Sequence, residues 1–140
     1  MNSLNSCKLI QDSKGNKFCF FYSAGSIYCK TRDQKNFIKE TVLIDKAHIN
    51  FLCTISKNDI IYVLCQLQDQ NMVLFVNEND RWNFDEIPLA KNVSNPRALF
   101  LFNTNDGINI IYCSKLPIAH YYNVYHVVKY KGKWKEKNIC

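Results

Sequence analysis

The side chains best suited to bind a ligand lie between the apolar stretches of this chain. Imidazole, amide, guanidinium and phenol groups occur there. Such a mixture suits a sugar or another small polar molecule, because rings stack on it while amides bond its hydroxyls. The candidate ligand-binding residues are His48, Gln66, Arg97, His120 and Tyr121. Arg97 is one of three arginines in the chain and directly follows Pro96.

These residues do not form a catalytic or metal-binding set. His48, His120 and His126 lie in separate segments, and no Gly-rich phosphate loop, nucleophile elbow or HExxH motif occurs. We therefore predict a protein that is not an enzyme and that holds no metal and no cofactor. An enzyme whose site is shared between two chains stays an alternative, because each chain would then supply part of the site.

Composition excludes several classes of partner. The formal net charge is +6, but lysines far outnumber arginines, which is typical of solubility more than of phosphate or base recognition. The alternating lysines of residues 129–137 favour a soluble outer hairpin for the same reason, so we do not expect nucleic-acid binding. Apolar runs such as residues 60–65 are too short to cross a bilayer. We expect no membrane association.

The cysteine pattern indicates free thiols. Seven cysteines are an odd number, and they include no CxxC pair and no Cys/His pair at zinc-finger spacing. The start of the chain also lacks the apolar segment of a secretory signal. We therefore expect a cytoplasmic protein whose cysteines serve as small apolar residues.

Three segments of the chain resemble one another. The segments 8–23, 51–66 and 99–114 each contain an apolar stretch, a turn rich in Asn, Asp or Gly, and a second, more apolar stretch. A third stretch follows in each case, and then an aromatic residue opens a fourth. These aromatic residues are Phe37, Trp82 and Trp134. The pattern predicts three copies of a four-stranded unit, because polar turns between apolar runs are typical of hairpins.

The spacing of the copies is that of a β-propeller blade. Phe37 and Trp82 are 45 residues apart, and Trp82 and Trp134 are 52 residues apart. Propeller repeats of four strands recur about every 40–50 residues. The sequence thus predicts an all-β fold of three four-stranded antiparallel blades within a single domain, residues 1–140. Blade 1 is expected at about 6–43, blade 2 at about 49–88 and blade 3 at about 97–139.

The strands of each copy differ in apolar content. The second strands, near 18–22, 60–65 and 108–113, are almost continuously apolar, as in a strand buried on both faces. The fourth strands are polar, which is typical of an exposed sheet edge. We expect Phe37, Trp82 and Trp134 to pack in the gaps between adjacent blades.

The turns before the aromatic residues are similar to a known motif. Residues 79–82 (NDRW) and 131–134 (KGKW) resemble the Asp-x-Gly-x-x-Trp turn of the sialidase-like group of propellers, and residues 33–37 are a degenerate version of it. The resemblance implies a propeller fold. It implies no activity, because the arginine triad, tyrosine and acid of a sialidase have no counterpart here.

Three blades are fewer than the four to eight, roughly, with which propellers close. An open half-ring would expose the apolar faces of its two terminal blades. We therefore expect a homodimer in which two copies pair head-to-tail into a six-bladed ring, a binding or scaffold module for a polar small molecule, a glycan or a protein. The alternatives are a carbohydrate-binding, lectin-like propeller that uses Trp82 and Trp134, and a fragment of a larger propeller protein.

Overall fold

The computed structural model describes residues 7–90, 93, 95–115 and 121–138 of the chain. Within these residues, twelve strands form three sheets, which we call blades 1, 2 and 3. Blade 1 contains β1 (Cys7–Gln11), β2 (Lys17–Ser23), β3 (Ser26–Arg32) and β4 (Ile38–Ile44). Blade 2 contains β5 (Ala47–Ile55), β6 (Ile61–Leu67), β7 (Met72–Glu78) and β8 (Arg81–Glu86). Blade 3 contains β9 (Arg97–Thr104), β10 (Gly107–Lys115), β11 (Tyr122–Tyr130) and β12 (Lys133–Asn138).

Each blade is a meander in which neighbouring strands of the chain are also neighbours in the sheet. All nine strand pairs are antiparallel. The predicted fold class, three four-stranded antiparallel sheets, is therefore confirmed. None of the described residues belongs to a helix that is long and apolar enough to span a membrane.

The three sheets are arranged like blades that spread from their first strands. Strand β1 lies against β5, and β5 lies against β9. The connections between β2 and β3, β4 and β5, and β6 and β7 meet at one end of the molecule. The backbone N–H of Ala47 donates to the carbonyl of Gly25 at 2.9 Å, and that of Gln68 donates to the carbonyl of Lys46 at 2.9 Å.

Two hydrophobic clusters hold the blades together, one in each interface. In the 1–2 interface, Phe20 and Ile27 of blade 1 pack with Ile61 and Val63 of blade 2. In the 2–3 interface, buried residues of β6 and β7 pack with buried residues of blade 3. These residues are Leu64, Met72, Leu74, Ile108, Ile110, Tyr112 and Val127. Because side chains alternate along a strand, β6 sends one set of residues to each interface.

The second strands of the three blades are not buried equally. Six consecutive residues of β6 lie between two sheets, and five of them are fully buried. Strands β2 and β10 have a neighbouring sheet on one side only, so Phe20 and Ile110 are buried while Phe21 and Ile111 on the opposite faces are half-buried. The three strands are similar in composition, but the structure covers both faces only in blade 2.

Candidate functional sites

Gln66 is a structural residue in this fold. Its side chain is 7% exposed, and its amide nitrogen donates a hydrogen bond to the carbonyl oxygen of Pro96. This bond joins the end of β6 to the segment that enters β9. The amide that the sequence offered as a ligand-binding group is thus used to position the chain immediately before Arg97.

Arg97 borders a small cavity formed by the first strands of the three blades. The cavity has a volume of about 150 Å³. It is lined by Lys8, Ile49, Asn50, Phe51, Leu52, Arg97 and Ala98. Two cationic side chains from different blades therefore lie beside an amide, an arrangement that suits a small anionic or polar ligand. Sequence reasoning missed Lys8, because no local pattern indicates that β1 lies near β9.

The other predicted ligand-binding residues are placed differently. His48 is half-buried as the second residue of β5, and Tyr121 is exposed immediately before β11. His120 lies outside the described residues. Gln66 donates to the carbonyl of Pro96, the residue before Arg97, so the structure brings these two predicted residues near each other.

A larger groove separates the outer parts of blades 1 and 2. This 1–2 groove has a volume of about 300 Å³. Its lining consists of Asn16, Phe18, Thr31, Asp33, Phe37, Lys39, Thr41, Asn77, Asp80 and Trp82. Aromatic rings next to amides, carboxylates and an ammonium group are the groups that bind carbohydrates, since rings stack on the sugar and polar groups bond its hydroxyls.

Trp82 and Trp134 occupy corresponding positions in the two interfaces. The ring of Trp82 meets Phe20 edge-on, with centroids 6.0 Å apart, and Trp134 packs against the cluster of the 2–3 interface. Each tryptophan follows a two-residue turn in which both residues have positive φ, with values of 53° and 62° in residues 79–80 and 51° and 77° in residues 131–132. Such turns match the twist of a hairpin and fix the register of the strand that follows.

Phe37 differs from the predicted arrangement. Its ring is 69% exposed at the edge of the 1–2 groove. The turn that ends with Phe37 has five residues between the paired Arg32 and Ile38. The side chain of Asp33 stabilises this turn by accepting hydrogen bonds from the backbone N–H groups of Lys35 and Phe37 at 2.9 Å. The longer turn changes the register, so that Ile38 lies on the face where blades 2 and 3 carry tryptophan.

The groove between blades 2 and 3 is basic. This 2–3 groove has a volume of about 610 Å³. Its polar lining includes Lys57, Tyr62, Asn103, Lys129, Tyr130 and Lys131. Lys129 forms an ion pair with Asp85 of blade 2, and the indole N–H of Trp134 donates to the same carboxylate at 3.3 Å. The excess of lysines in the 2–3 groove could not be expected from the repeat itself.

Tyr112 connects three parts of the 2–3 interface. Its hydroxyl accepts the backbone N–H of Ala90 at 2.9 Å and donates to a carboxylate oxygen of Glu136 at 3.2 Å. Burial, helped by the nearby Glu136 charge, raises the pKa of Tyr112 to about 12. The phenol is thus held neutral as a structural hydrogen-bonding group.

The described residues offer no metal centre. Among them, no group of three or more His, Cys, Asp or Glu side chains lies close enough to hold a metal ion. Their six cysteines are free thiols, and burial raises the pKa of Cys65 to about 12. No family model matches the chain, and a search of curated proteins found no match to it.

Proposed function

We propose that this chain is a non-enzymatic binding or scaffold module, a half-propeller that pairs with a second copy into a six-bladed ring. One observation carries the proposal. Strands β2 and β10 have the apolar composition of strands that lie between two sheets, yet each has a sheet on one side only. Side chains such as Phe21 and Ile111 are suited to a neighbour that a single chain does not supply.

The exposed apolar side chains on the terminal faces support the same conclusion. On the outer face of blade 1, Leu9 and Val42 are exposed, and on the outer face of blade 3, Phe100 and Tyr122 are exposed. Each interface within the chain joins one face of a blade to the opposite face of the next blade. Blade 1 leaves one of these two faces uncovered, and blade 3 leaves the other. The uncovered face of one copy therefore matches that of a second copy, and two such contacts about a twofold axis close a ring.

The charge of these faces gives the assembly an unusual salt dependence. Lys30 and Arg32 lie on the outer face of blade 1, and the strand register places Lys133 and Lys135 on the outer face of blade 3. Like charges oppose association, and added salt screens them over about 10 Å at 0.1 M. The dimer should therefore become more stable as the salt concentration rises.

Light scattering tests the ring directly. The chain should have twice its 16.4 kDa mass at high concentration. Phe100→Asp should yield a folded monomer, because it places a carboxylate in the closing contact. Phe84→Asp is the matched control, since Phe84 is exposed on β8 of the middle blade and should leave the dimer intact. A folded wild-type monomer at every concentration and salt would contradict the proposal.

A carbohydrate-binding, lectin-like propeller is the second candidate, and the 1–2 groove favours it. Phe37 is an exposed ring beside Trp82, with Asn77 and Asp80 nearby as hydrogen-bonding groups. An exposed ring at a groove wall is available for stacking on a sugar, whereas a ring that packs in a core is not.

Glycan-array binding distinguishes the two candidates. A lectin should lose its signal in Phe37→Ala and keep it in Phe84→Ala, because both rings are 69% exposed but only Phe37 borders the groove. Absence of any glycan binding by the folded protein would leave the scaffold proposal and contradict the lectin. Hydrolase or lyase activity abolished by Arg97→Ala would contradict both.

The fold group and the compartment are further parts of the proposal. The two positive-φ turns before Trp82 and Trp134 support a place in the sialidase-like group of propellers. The free thiols of the described cysteines support a reducing compartment, which we take to be the cytoplasm.

A further inference from the structure

Two cysteines meet on the outer face of blade 1. Cys7 on β1 pairs in register with Phe21, and Cys19 on β2 pairs with Leu9, so the two cysteines are diagonal neighbours on one face of the hairpin. Their Sγ atoms are 3.1 Å apart. This separation leaves no room for another atom between the sulfurs and is short enough for one sulfur to attack the other once that one is oxidised.

The pair is accessible, unlike the other thiols nearby. Cys7 is exposed and Cys19 is half-buried, whereas Cys29 and Cys65 are fully buried in the 1–2 interface. No sheet of the described part of the chain packs on this outer face, where Leu9 is also exposed, so an oxidant can approach it.

We propose that Cys7 and Cys19 are an oxidation site that closes into an intrachain disulfide and joins β1 to β2. The oxidant is hydrogen peroxide. The thiolate of Cys7 attacks one peroxide oxygen, the O–O bond breaks, and one water leaves after protonation, which gives a sulfenic acid. The Cys19 sulfur then attacks Sγ of Cys7, the S–O bond breaks, and a second water leaves. Two thiols and one peroxide thus give one disulfide and two waters.

Burial assigns the order of the two steps. It raises the pKa of Cys19 to about 11, so Cys19 remains a thiol near neutral pH and is a poor first nucleophile. Cys7 is the exposed sulfur and meets the oxidant first. Because Cys19 is already in contact, the sulfenic acid is captured before further oxidation.

The disulfide would change how the first strand is held. It would covalently join β1 to β2, in addition to the backbone bonds that pair the two strands. The pair lies on the face that a second copy would cover, so ring closure should slow its oxidation. The disulfide itself forms within one chain and does not depend on the ring.

Intact-mass spectrometry after mild peroxide treatment and thiol alkylation tests the site. The protein should lose the mass of two hydrogen atoms, incorporate two alkyl groups fewer than the reduced protein, and recover both after dithiothreitol. Cys7→Ser and Cys19→Ser should each abolish this change. Cys113→Ser, which removes a half-buried thiol from blade 3, should retain it.

Several results would overturn the proposal. They are addition of oxygen atoms without loss of hydrogen, a disulfide that persists in Cys7→Ser, or a linked peptide that joins two different chains. Circular dichroism is the control that checks whether each variant is folded. Cys7 is exposed, so its replacement by serine should leave the core unchanged. Loss of the dimer with retention of the disulfide would contradict the proposed ring and not the oxidation site.

Discussion

The 1–2 interface and the 2–3 interface are built from corresponding strands, but different groups complete them. The 1–2 interface is an apolar contact in which Trp82 meets Phe20, and the side chain of the half-buried Asp59 accepts hydrogen bonds across it from Ser13. The 2–3 interface carries polar links at its outer side, with Lys129 bound to Asp85 and Tyr112 bound to both Ala90 and Glu136.

This difference teaches that the repeat specifies the apolar contact and leaves the polar groups free to vary. Apolar packing is set by the alternation along β2, β6 and β10, which all three copies share. Polar links require particular partners across the gap, and each copy has different ones. The two interfaces should therefore respond alike to loss of an apolar side chain and differently to changes in charge.

The largest expected effect comes from Phe20→Ala in the 1–2 interface. Phe20 is fully buried, so its truncation removes packing and leaves a cavity that costs about 3–5 kcal/mol in the free energy of unfolding. Urea unfolding measures the loss. Phe84→Ala, at an exposed ring, should change it by less than about 0.5 kcal/mol. Similar losses in the two variants would show that the 1–2 contact is not a packed core.

Tyr112→Phe should have the next largest effect. It keeps the ring but leaves the N–H of Ala90 without its acceptor, so we expect a loss of about 1–2 kcal/mol.

The same variant has a pH signature. Burial raises the pKa of Tyr112 from 10.0 to about 12. A raised folded-state pKa gives stability that is fully present below pH 10 and is lost as the pH rises through about 12. Unfolding curves of Tyr112→Phe should therefore depend less on pH in this range. A parallel alkaline loss in both proteins would show that another group, such as Cys65, is responsible.

Asp85→Asn should cost less, because the ion pair with Lys129 is partly exposed. We expect a loss of about 0.5–1 kcal/mol at low salt, and a smaller one at high salt where the charges are screened. The emission of Trp134, which donates to the same carboxylate, should shift in the variant. Glu86→Gln removes the neighbouring exposed charge and is the matched control. A loss that does not change with salt would contradict an ionic contribution.

The smallest effect is expected for Asp59→Asn, and its difference from the wild type should shrink in acid. Hydrogen bonds from the Ser13 hydroxyl and backbone N–H lower the pKa of Asp59 below 3.8. A lowered folded-state pKa gives stability that is present above pH 3.8 and is lost as the pH falls through the folded-state value. The variant should unfold with a shallower pH dependence below pH 3.8. Asp106→Asn, in the corresponding turn of blade 3, is the matched control.

Part of the candidate sites could be predicted from sequence and part could not. Trp82 and Trp134 follow two-residue turns, so counting along the chain gives their faces. Phe37 is the last residue of a five-residue turn between Arg32 and Ile38, and this change of register moves the corresponding position to Ile38. The sequence predicts Gln66 as a ligand-binding residue. In the structure its amide nitrogen donates a hydrogen bond to the carbonyl of Pro96, 30 residues away.

The sequence by itself determined the three copies, their four strands and the apolar character of β2, β6 and β10, because these follow from local alternation and turn residues. Only the tertiary structure decided which groups meet across the gaps. Lys129 and Asp85 are 44 residues apart, and Lys8 and Arg97 lie on different blades. Such contacts depend on how sheets pack against each other. Local periodicity predicts that one face of a strand is apolar, but it does not predict which side chains of another sheet lie opposite that face.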